Sequence, residues 1–285
     1  MKILVTGGRG IIGINLITEL VSLGHDVISI DRKYKPNTSI DGVTYITQDI
    51  NNIMELDLKN IDFIYHLAVV GVDKVSSFKN PNYVFNNIVN ATNKVIEFSI
   101  KNNCKLIYAG SSSKFFNVNQ SPYTLYKSFA EDSIRLYQKY FNLRTDITTI
   151  YNVYGRCVKT KKEISGLLRA WNSILQTNNT IDIYGDGKQV KDFIHINDVV
   201  SGLILLLDNN ESIENWHIGS GESYSINDIF NFYKLNYPNI KYNKIKTDKC
   251  DNSNHSLLNT NFIKEYNWNP QYNLKKYIAN YDIIY

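Results

Sequence analysis

Short apolar runs alternate with longer amphipathic ones through the first half of the chain. Residues 3–6, 27–30, 43–46, 63–66, 106–109 and 146–151 are compact runs of strand length. Between them, residues 11–23, 83–99 and 123–140 carry apolar side chains at helical spacing. Strand and helix in alternation predict a parallel sheet with helices on both faces, because parallel strands need crossover connections. The expected fold class is therefore α/β. The second half is less regular. Residues 164–175 and 197–207 predict helices and residues 180–184 a strand, with glycine pairs at Gly185/Gly187 and Gly219/Gly221. A boundary near residue 155 divides the chain into expected domains 1–155 and 156–285.

The chain has 285 residues, which at ~150 residues per domain also suggests two domains. Hydrophobic residues at 43% and charged residues at 20% suit a soluble protein that buries a core. With only 5 prolines and 15 glycines, collagen-like and Pro-rich disordered chains are excluded. The net charge of +4 is mildly basic. The densest basic run, 159–162, is too short to mark a nucleic-acid surface, so no nucleic-acid partner is expected. Cys104, Cys157 and Cys250 are scattered with no CxxC. That pattern predicts neither a disulfide framework nor a metal site, and fits the reducing cytoplasm. The longest apolar run, near Leu203–Leu207, falls far short of the ~18 residues of a membrane span. Residues 1–6 turn glycine-rich at once, so they read as a strand and not as a signal peptide.

Gly7, Gly10 and Gly13 follow the first strand and open the first helix. In this spacing the first glycine makes a tight turn and the second lets the backbone approach a pyrophosphate. The third lets helix and strand pack closely. The helix N-terminus, at Ile11 and Ile12, then offers unpaired N–H groups to the anion. Asp31 ends the second strand, about 20 residues on, where its carboxylate can accept both adenosine ribose hydroxyls. A dinucleotide-binding, Rossmann-like doubly wound sheet is therefore expected, with a smaller C-terminal α/β substrate domain. Asp31 would repel a 2′-phosphate, so NAD is favoured; Arg9, Arg32 and Lys33 leave NADP open, unless they are solvated surface charges.

Tyr123 and Lys127 stand at i and i+4 on one helix face. An ammonium near a phenol stabilises the phenolate and lowers its pKa from about 10. The tyrosine can then exchange a proton with a sugar hydroxyl. Four other pairs share the spacing: Tyr184/Lys188, Tyr237/Lys241, Tyr242/Lys246 and Tyr272/Lys276. Only Tyr123 opens a helix just after the strand that ends in Ser111, Ser112 and Ser113, at the carboxyl edge where ligands of open α/β sheets bind. His66 and His195 read as packed histidines, Asp186 and Asp192 as turn and sheet-end residues.

On these residues the chain resembles the extended short-chain dehydrogenases/reductases of the NAD-dependent epimerase/dehydratase family. Residues 6–13, 62–68, 151–155 and 183–193 each match a family segment, and residues 259–270 resemble its tail. The resemblance implies Ser111, Tyr123 and Lys127 as the catalytic triad. It implies Asp49 and Ile50 beside the adenine, and Leu67, Ala68, Val69 and Asn87 along the cofactor, with Tyr123 and Lys127 also touching it. Ser112, Asn152 and Lys191 would meet the substrate, and segments after residue 180 would partly return to the first domain. A homodimer through the helices near 83–99 and 123–140 is also implied.

The departures narrow the reaction. Family 4,6-dehydratases carry an Asp-Glu pair where Ser112 and Ser113 stand here. The GDP-fucose synthases' cysteine aligns with Ser113 and is absent. Lys191 replaces an arginine, which removes the bidentate fork, and Thr149 replaces another. What remains serves reversible oxidation at one carbon. The expectation is a UDP-hexose 4-epimerase working through a 4-keto intermediate. The alternatives are an NAD(P)H-dependent 4-ketoreductase of a nucleotide deoxysugar and a non-catalytic dinucleotide-sensing regulator.

Overall fold

A computed structural model describes residues 1–69, 76–115, 117–209, 211–246 and 267–281. Cys250 and residues 259–266 of the tail segment lie outside them. The chain forms two compact units. The first comprises Met1–Thr149, Val158–Thr160 and Val200–Trp216; the second comprises Ile150–Cys157, Lys161–Val199 and His217–Tyr285.

The first unit opens with β1 (Lys2–Thr6), α1 (Ile11–Ser22), β2 (Asp26–Asp31), β3 (Val43–Thr47) and β4 (Phe63–His66). It continues through α2 (Pro81–Phe85), α3 (Ala91–Asn102), β5 (Lys105–Ser111), α4 (Pro122–Phe141) and β6 (Thr145–Ile150). The sheet runs β3-β2-β1-β4-β5-β6, and the strand Trp216–Ile218 completes its seven. The pairs from β3 to β5 are parallel, with Thr6 level with Ile30 on one side and His66 on the other. Strand order reverses at β1/β4, so the carboxyl ends of these strands frame the crevice typical of doubly wound sheets.

Central parallel strands are covered on both faces and therefore read as continuous apolar runs. Ile3, Leu4 and Val5 are all fully buried, as this requires. Leu4, Ile28, Ile64, Leu106 and Tyr108 pack with Val95 and Ile96 of α3 and with Ala130 and Ile134 of α4. Full burial of each large aliphatic side chain contributes about 1.5–3 kcal/mol. The expected helix 83–99 is instead longer and interrupted. It starts behind Asn80, whose side chain caps the Tyr83 N–H at 3.0 Å, and widens into a π turn at Asn86–Asn90 before α3. α4 starts where Ser121 caps the Thr124 N–H at 3.2 Å and Pro122 takes the first helical position.

In the second unit, β7 (Asn152–Tyr154) pairs in parallel with β9 (Val190–His195), and β9 pairs antiparallel with Ser223–Ser225. β8 (Thr180–Tyr184) pairs with Lys241–Ile245. Its core joins Leu168 and Trp171 of α5 (Gly166–Leu175) to Ile181, Ile183, Phe193, Ile229 and Tyr233. The expected helix 197–207 appears as Ile196–Ile204 followed by a 3-10 turn at Leu205–Leu207.

Candidate active site

The glycine loop is built to bring backbone close to backbone. Gly7 has φ +71°, and a Cβ there would lie 2.8 Å from the Ala68 backbone. That is both a left-handed conformation and a close approach, which only glycine meets. At Gly13 a Cβ would lie 2.5 Å from the Gly7 carbonyl oxygen, so the third glycine lets α1 press against the loop. Gly10 precedes α1 without a side-chain cap. The first-turn N–H groups at Ile11 and Ile12 thus keep the positive end of the helix available to an anion.

β2 delivers Asp31 half-buried at its end, with Oδ1 accepting the Lys33 N–H at 3.2 Å. Asp49 caps the turn Ile50–Glu55 through the Asn51 N–H at 2.9 Å. Leu67 donates its N–H to the Thr6 carbonyl at 3.1 Å, and Val69 is exposed. These residues fit a dinucleotide: an uncapped helix N-terminus for the pyrophosphate, a carboxylate for the ribose, and a close-packed backbone floor at Ala68.

Arg9 departs from the reading of a solvated surface charge, whereas Arg32 is exposed. Arg9 is only 4% exposed. It donates to the Lys35 carbonyl at 2.6 Å and to Thr38 Oγ1 at 3.1 Å, with its guanidinium 4.0 Å from the Tyr45 ring centre. Arg32 is exposed and bonds the Tyr83 hydroxyl and Asn87 Oδ1, the latter at 2.9 Å. Asn87 is thus tied to Arg32 through its oxygen and to the Tyr83 carbonyl through its nitrogen at 2.8 Å.

A buried chain of hydrogen bonds lies beneath the loop, and sequence spacing did not disclose it. The Ala68 N–H donates to Thr6 Oγ1 at 3.2 Å, and that hydroxyl meets His66 Nδ1 at 2.7 Å. On the other side His66 Nε2 meets Thr92 Oγ1 at 3.1 Å, and Thr92 donates onward to the Ile88 carbonyl at 2.6 Å. Because Thr92 spends its proton on Ile88, its oxygen accepts from His66. The neutral ring therefore carries its proton on Nε2 and accepts from Thr6 at Nδ1. Burial first, and the nearby Lys127 charge second, push His66 down to about 3. His66 is the packed histidine expected, but its packing also orients the backbone at Ala68.

β5 and α4 bring the proposed triad together. Ser111 ends β5 near the Tyr123 phenol and donates to Ser113 Oγ at 3.1 Å. Ser112 and Ser113 are buried. Lys127, one turn beyond Tyr123, donates to the Ala109 carbonyl at 2.6 Å and sits 4.2 Å from the Tyr108 ring centre. Burial pushes the Tyr123 phenol up, and the Ser111 hydroxyl offsets part of that. The expected lowering by Lys127 is not found in this structure, because its ammonium is aimed at the Ala109 carbonyl. Burial, with a further push from Lys114, brings Lys127 down to about 8 against the pull of Glu131. None of the four decoy tyrosines heads a helix with its lysine: Tyr184 ends β8, Tyr237 closes a helix, Tyr242 is in a strand and Tyr272 precedes the helix Leu274–Ala279.

Within the second unit, Asn152 and Lys191 line a cavity of about 340 Å³ together with Ser165, Asp182, Tyr184 and Gln189. Asn152 donates to the Asp192 carbonyl at 2.8 Å. His195 is buried as expected, stacked 4.0 Å from Tyr272. Asp186 is in a turn, and Asp192 is fully buried in β9. Among the described residues no group of three His, Cys, Asp or Glu could hold a metal, and no helix is long and apolar enough to cross a membrane.

The doubly wound sheet, with its glycine loop after β1 and Tyr-Lys helix after β5, defines an extended short-chain dehydrogenase/reductase. The chain belongs to the NAD dependent epimerase/dehydratase family, whose model matches residues 3–226. It is 28% identical over 251 residues to a putative UDP-glucose 4-epimerase of Methanocaldococcus jannaschii, covering 81% of each chain. It is 27% identical over 259 residues to a UDP-N-acetyl-alpha-D-glucosaminuronate decarboxylase of Bacillus cytotoxicus, covering 80% of this chain and 78% of that one. Solved structures share the fold. A dTDP-glucose 4,6-dehydratase of Streptomyces venezuelae, determined with NAD, superposes with a TM-score of 0.84 at 20% identity over 98% of both chains. A UDP-glucose 4-epimerase of Thermotoga maritima, determined with UDP-glucose, gives 0.83 at 24% identity, covering 98% of this chain and 96% of that one.

Proposed function

We propose that the protein is an NAD-dependent nucleotide-sugar oxidoreductase acting at C4 of the hexose, as a UDP-hexose 4-epimerase. The observation that carries this reading is the placing of Ser111, at the end of β5, beside Tyr123, with Lys127 one helical turn away, next to two serines that offer no carboxyl group. NAD, when bound, supplies the acceptor and donor for the hydrogen on C4. The Gly7–Gly13 loop with Ile11 and Ile12 holds its pyrophosphate, and Asp31 its adenosine ribose. Leu67, Ala68 and Val69 form its floor, and Asp49 and Ile50 flank the adenine.

Tyr123 takes the proton of the sugar 4-hydroxyl as the 4-keto sugar forms, and returns it after the sugar has turned over. Ser111 donates a hydrogen bond to the same oxygen, and Lys127 favours the phenolate electrostatically. Both Arg9 and Arg32 are engaged elsewhere in the protein, which supports NAD over NADP. Lys191 and Asn152 are assigned to the diphosphate end of the substrate, Ser112 to its sugar. Ser112 and Ser113 cannot act as the acid and base of a dehydration. The described geometry offers no feature that favours a ketoreductase or a sensor over the epimerase.

The test is incubation with UDP-glucose, UDP-N-acetylglucosamine and UDP-glucuronic acid, with and without added NAD and NADPH, read by NMR and mass spectrometry. A 4-epimer formed without net cofactor consumption supports the reading. A 4-keto-6-deoxy product, loss of CO2 from the uronic acid, or stoichiometric NADPH consumption with a 4-keto sugar would each replace it with the corresponding activity.

A further inference from the structure

A buried ion cluster beside the triad has no part in the mechanism above. Glu131 lies one turn beyond Lys127 on α4 and is 1% exposed. Its Oε2 accepts Lys114 Nζ at 2.7 Å and Arg135 Nη2 at 3.3 Å. Its Oε1 is buried with no hydrogen-bond partner among the described residues. The carboxylate presses on the β5 backbone: a Cβ on Gly110 would come within 2.6 Å of Oε1. Gly110 follows Ala109, whose carbonyl holds the Lys127 ammonium. One carboxylate and one further ammonium therefore lie close to the Lys127 charge, in a place where little water screens them.

We propose that the Lys114–Glu131 ion pair is a positioning pair that sets the charge on Lys127 and, through Lys127, the proton affinity of Tyr123. This rests on the reading of Tyr123 and Lys127 as the proton-transfer pair. The two partners act on Lys127 in opposite senses, because Glu131 stabilises the ammonium and Lys114 opposes it. With both present, the burial penalty dominates and leaves Lys127 at about 8, near working pH, so small changes in this pair alter how much ammonium is present. The other groups facing Lys127 hold steady over that range. Tyr108 from β5 lies under the ammonium with its phenol pushed well up by burial, and His66 from β4 stays neutral. Tyr123, on the same helix, is the group served. Arg135 reaches this cluster only through the Glu131 carboxylate and pairs with Asp132 on its other side.

The test is titration of Lys127 by lysine-selective NMR in the full-length protein, paired with the pH profile of kcat/KM. Lys114→Met removes a like charge and is expected to raise the Lys127 pKa by at least about half a unit. Glu131→Gln removes the opposite charge and is expected to lower it by a similar amount. Lys114→Arg should leave it in place. Because turnover needs the ammonium, the basic limb of the profile should move up in Lys114→Met and down in Glu131→Gln. A purely structural pair would lower stability in both variants without opposed shifts. If Glu131→Gln fails to fold, the two Lys114 variants decide alone, since Lys114 is partly accessible. Equal or same-direction shifts in folded variants overturn the proposal. The NMR arm needs no substrate. Opposed NMR shifts with an unmoved pH profile would uphold the charge pair and instead overturn the role of Lys127 in turnover.

Discussion

The two units give their buried carboxylates different partners. In the first, the buried groups near the candidate site include two bases held toward neutrality and one carboxylate, Glu131, paired with side-chain cations. His66 sits between two threonine hydroxyls and is pushed down to about 3, and Lys127 is brought down to about 8. The second unit also buries a base, His195, pushed down to about 4, but it adds three carboxylates that gather backbone N–H groups. Asp192 accepts Ser220 and Gly221 at 2.8 and 3.0 Å, Asp198 accepts Gln271 and Tyr272, and Glu163 accepts Gly155 and Ser165. Burial disfavours every one of these charges, but the partners differ. Hydroxyls suit a neutral ring, whereas converging N–H donors stabilise an anion and so pin loops. Of the two bases in the first unit only Lys127 titrates near neutral pH, while carboxylates surrounded by N–H groups are structural clamps.

The largest effect should come from the phenol. Tyr123→Phe removes one hydroxyl while the ring still packs, so turnover should fall by the ~10²–10⁴ of general acid–base catalysis. Tyr126→Phe and Tyr242→Phe should stay near wild type in the same assay. Full activity in Tyr123→Phe would sink the mechanism.

Acid should separate the two units. The folded pKa of His66 lies below its unfolded value of 6.5. The unfolded chain therefore binds the proton first, and stability falls as pH drops from 6.5 toward 3. The full linkage is on the order of 5 kcal/mol. Asp192 has the opposite sign. Its folded pKa of about 6 lies above 3.8, so acidification from 6 to 3.8 relieves its burial cost. His195, at the end of β9, is pushed down to about 4 by burial and shares the sign of His66. Hydrogen exchange between pH 7 and 4.5 should therefore show protection lost in β1 and β4 and a smaller loss in β9, where Asp192 offsets His195. Uniform loss would contradict the contrast.

Asp31→Ala should weaken NAD binding by roughly ten- to a hundredfold, from the about 1.5–3 kcal/mol of hydrogen bonds to a charged group, and NADP binding much less. Calorimetry with both cofactors checks it; tighter NADP than NAD binding in wild type would overturn the cofactor reading. Thr6→Val keeps the shape but leaves His66 Nδ1 and the Ala68 N–H unpaired. It should cost about 1–3 kcal/mol by denaturant melting and weaken NAD binding through Ala68. In the second unit, Asn152→Ala should leave NAD affinity unchanged. Finally, Phe129, Leu136 and Tyr140 are exposed along α4, and light scattering at micromolar concentration should report a homodimer; a monomer would refute that expectation.

Much of this fold follows from local spacing. The apolar runs of β1, β2, β4 and β5 and the helical periodicity of α1 and α4 are set within a few residues, by backbone geometry and solvent exclusion. So are the turn at Gly7, the close packing at Gly13 and the Ser121-Pro122 start that places Tyr123 and Lys127 on one helix face. Strand order along the chain also separated that pair from four others of equal spacing. Other features depended on which distant segments became neighbours. Only the placement of β4 beside β1 brings His66 to Thr6, 60 residues apart. Only the packing of the segment after β2 takes Arg9 out of water, and only the docking of α4 on β5 joins Lys114 to Glu131. The π turn at Asn86–Asn90 left no mark in the apolar periodicity. Periodicity records which face of an element is buried, not what it is buried against, and the charge of a buried side chain depends on that partner.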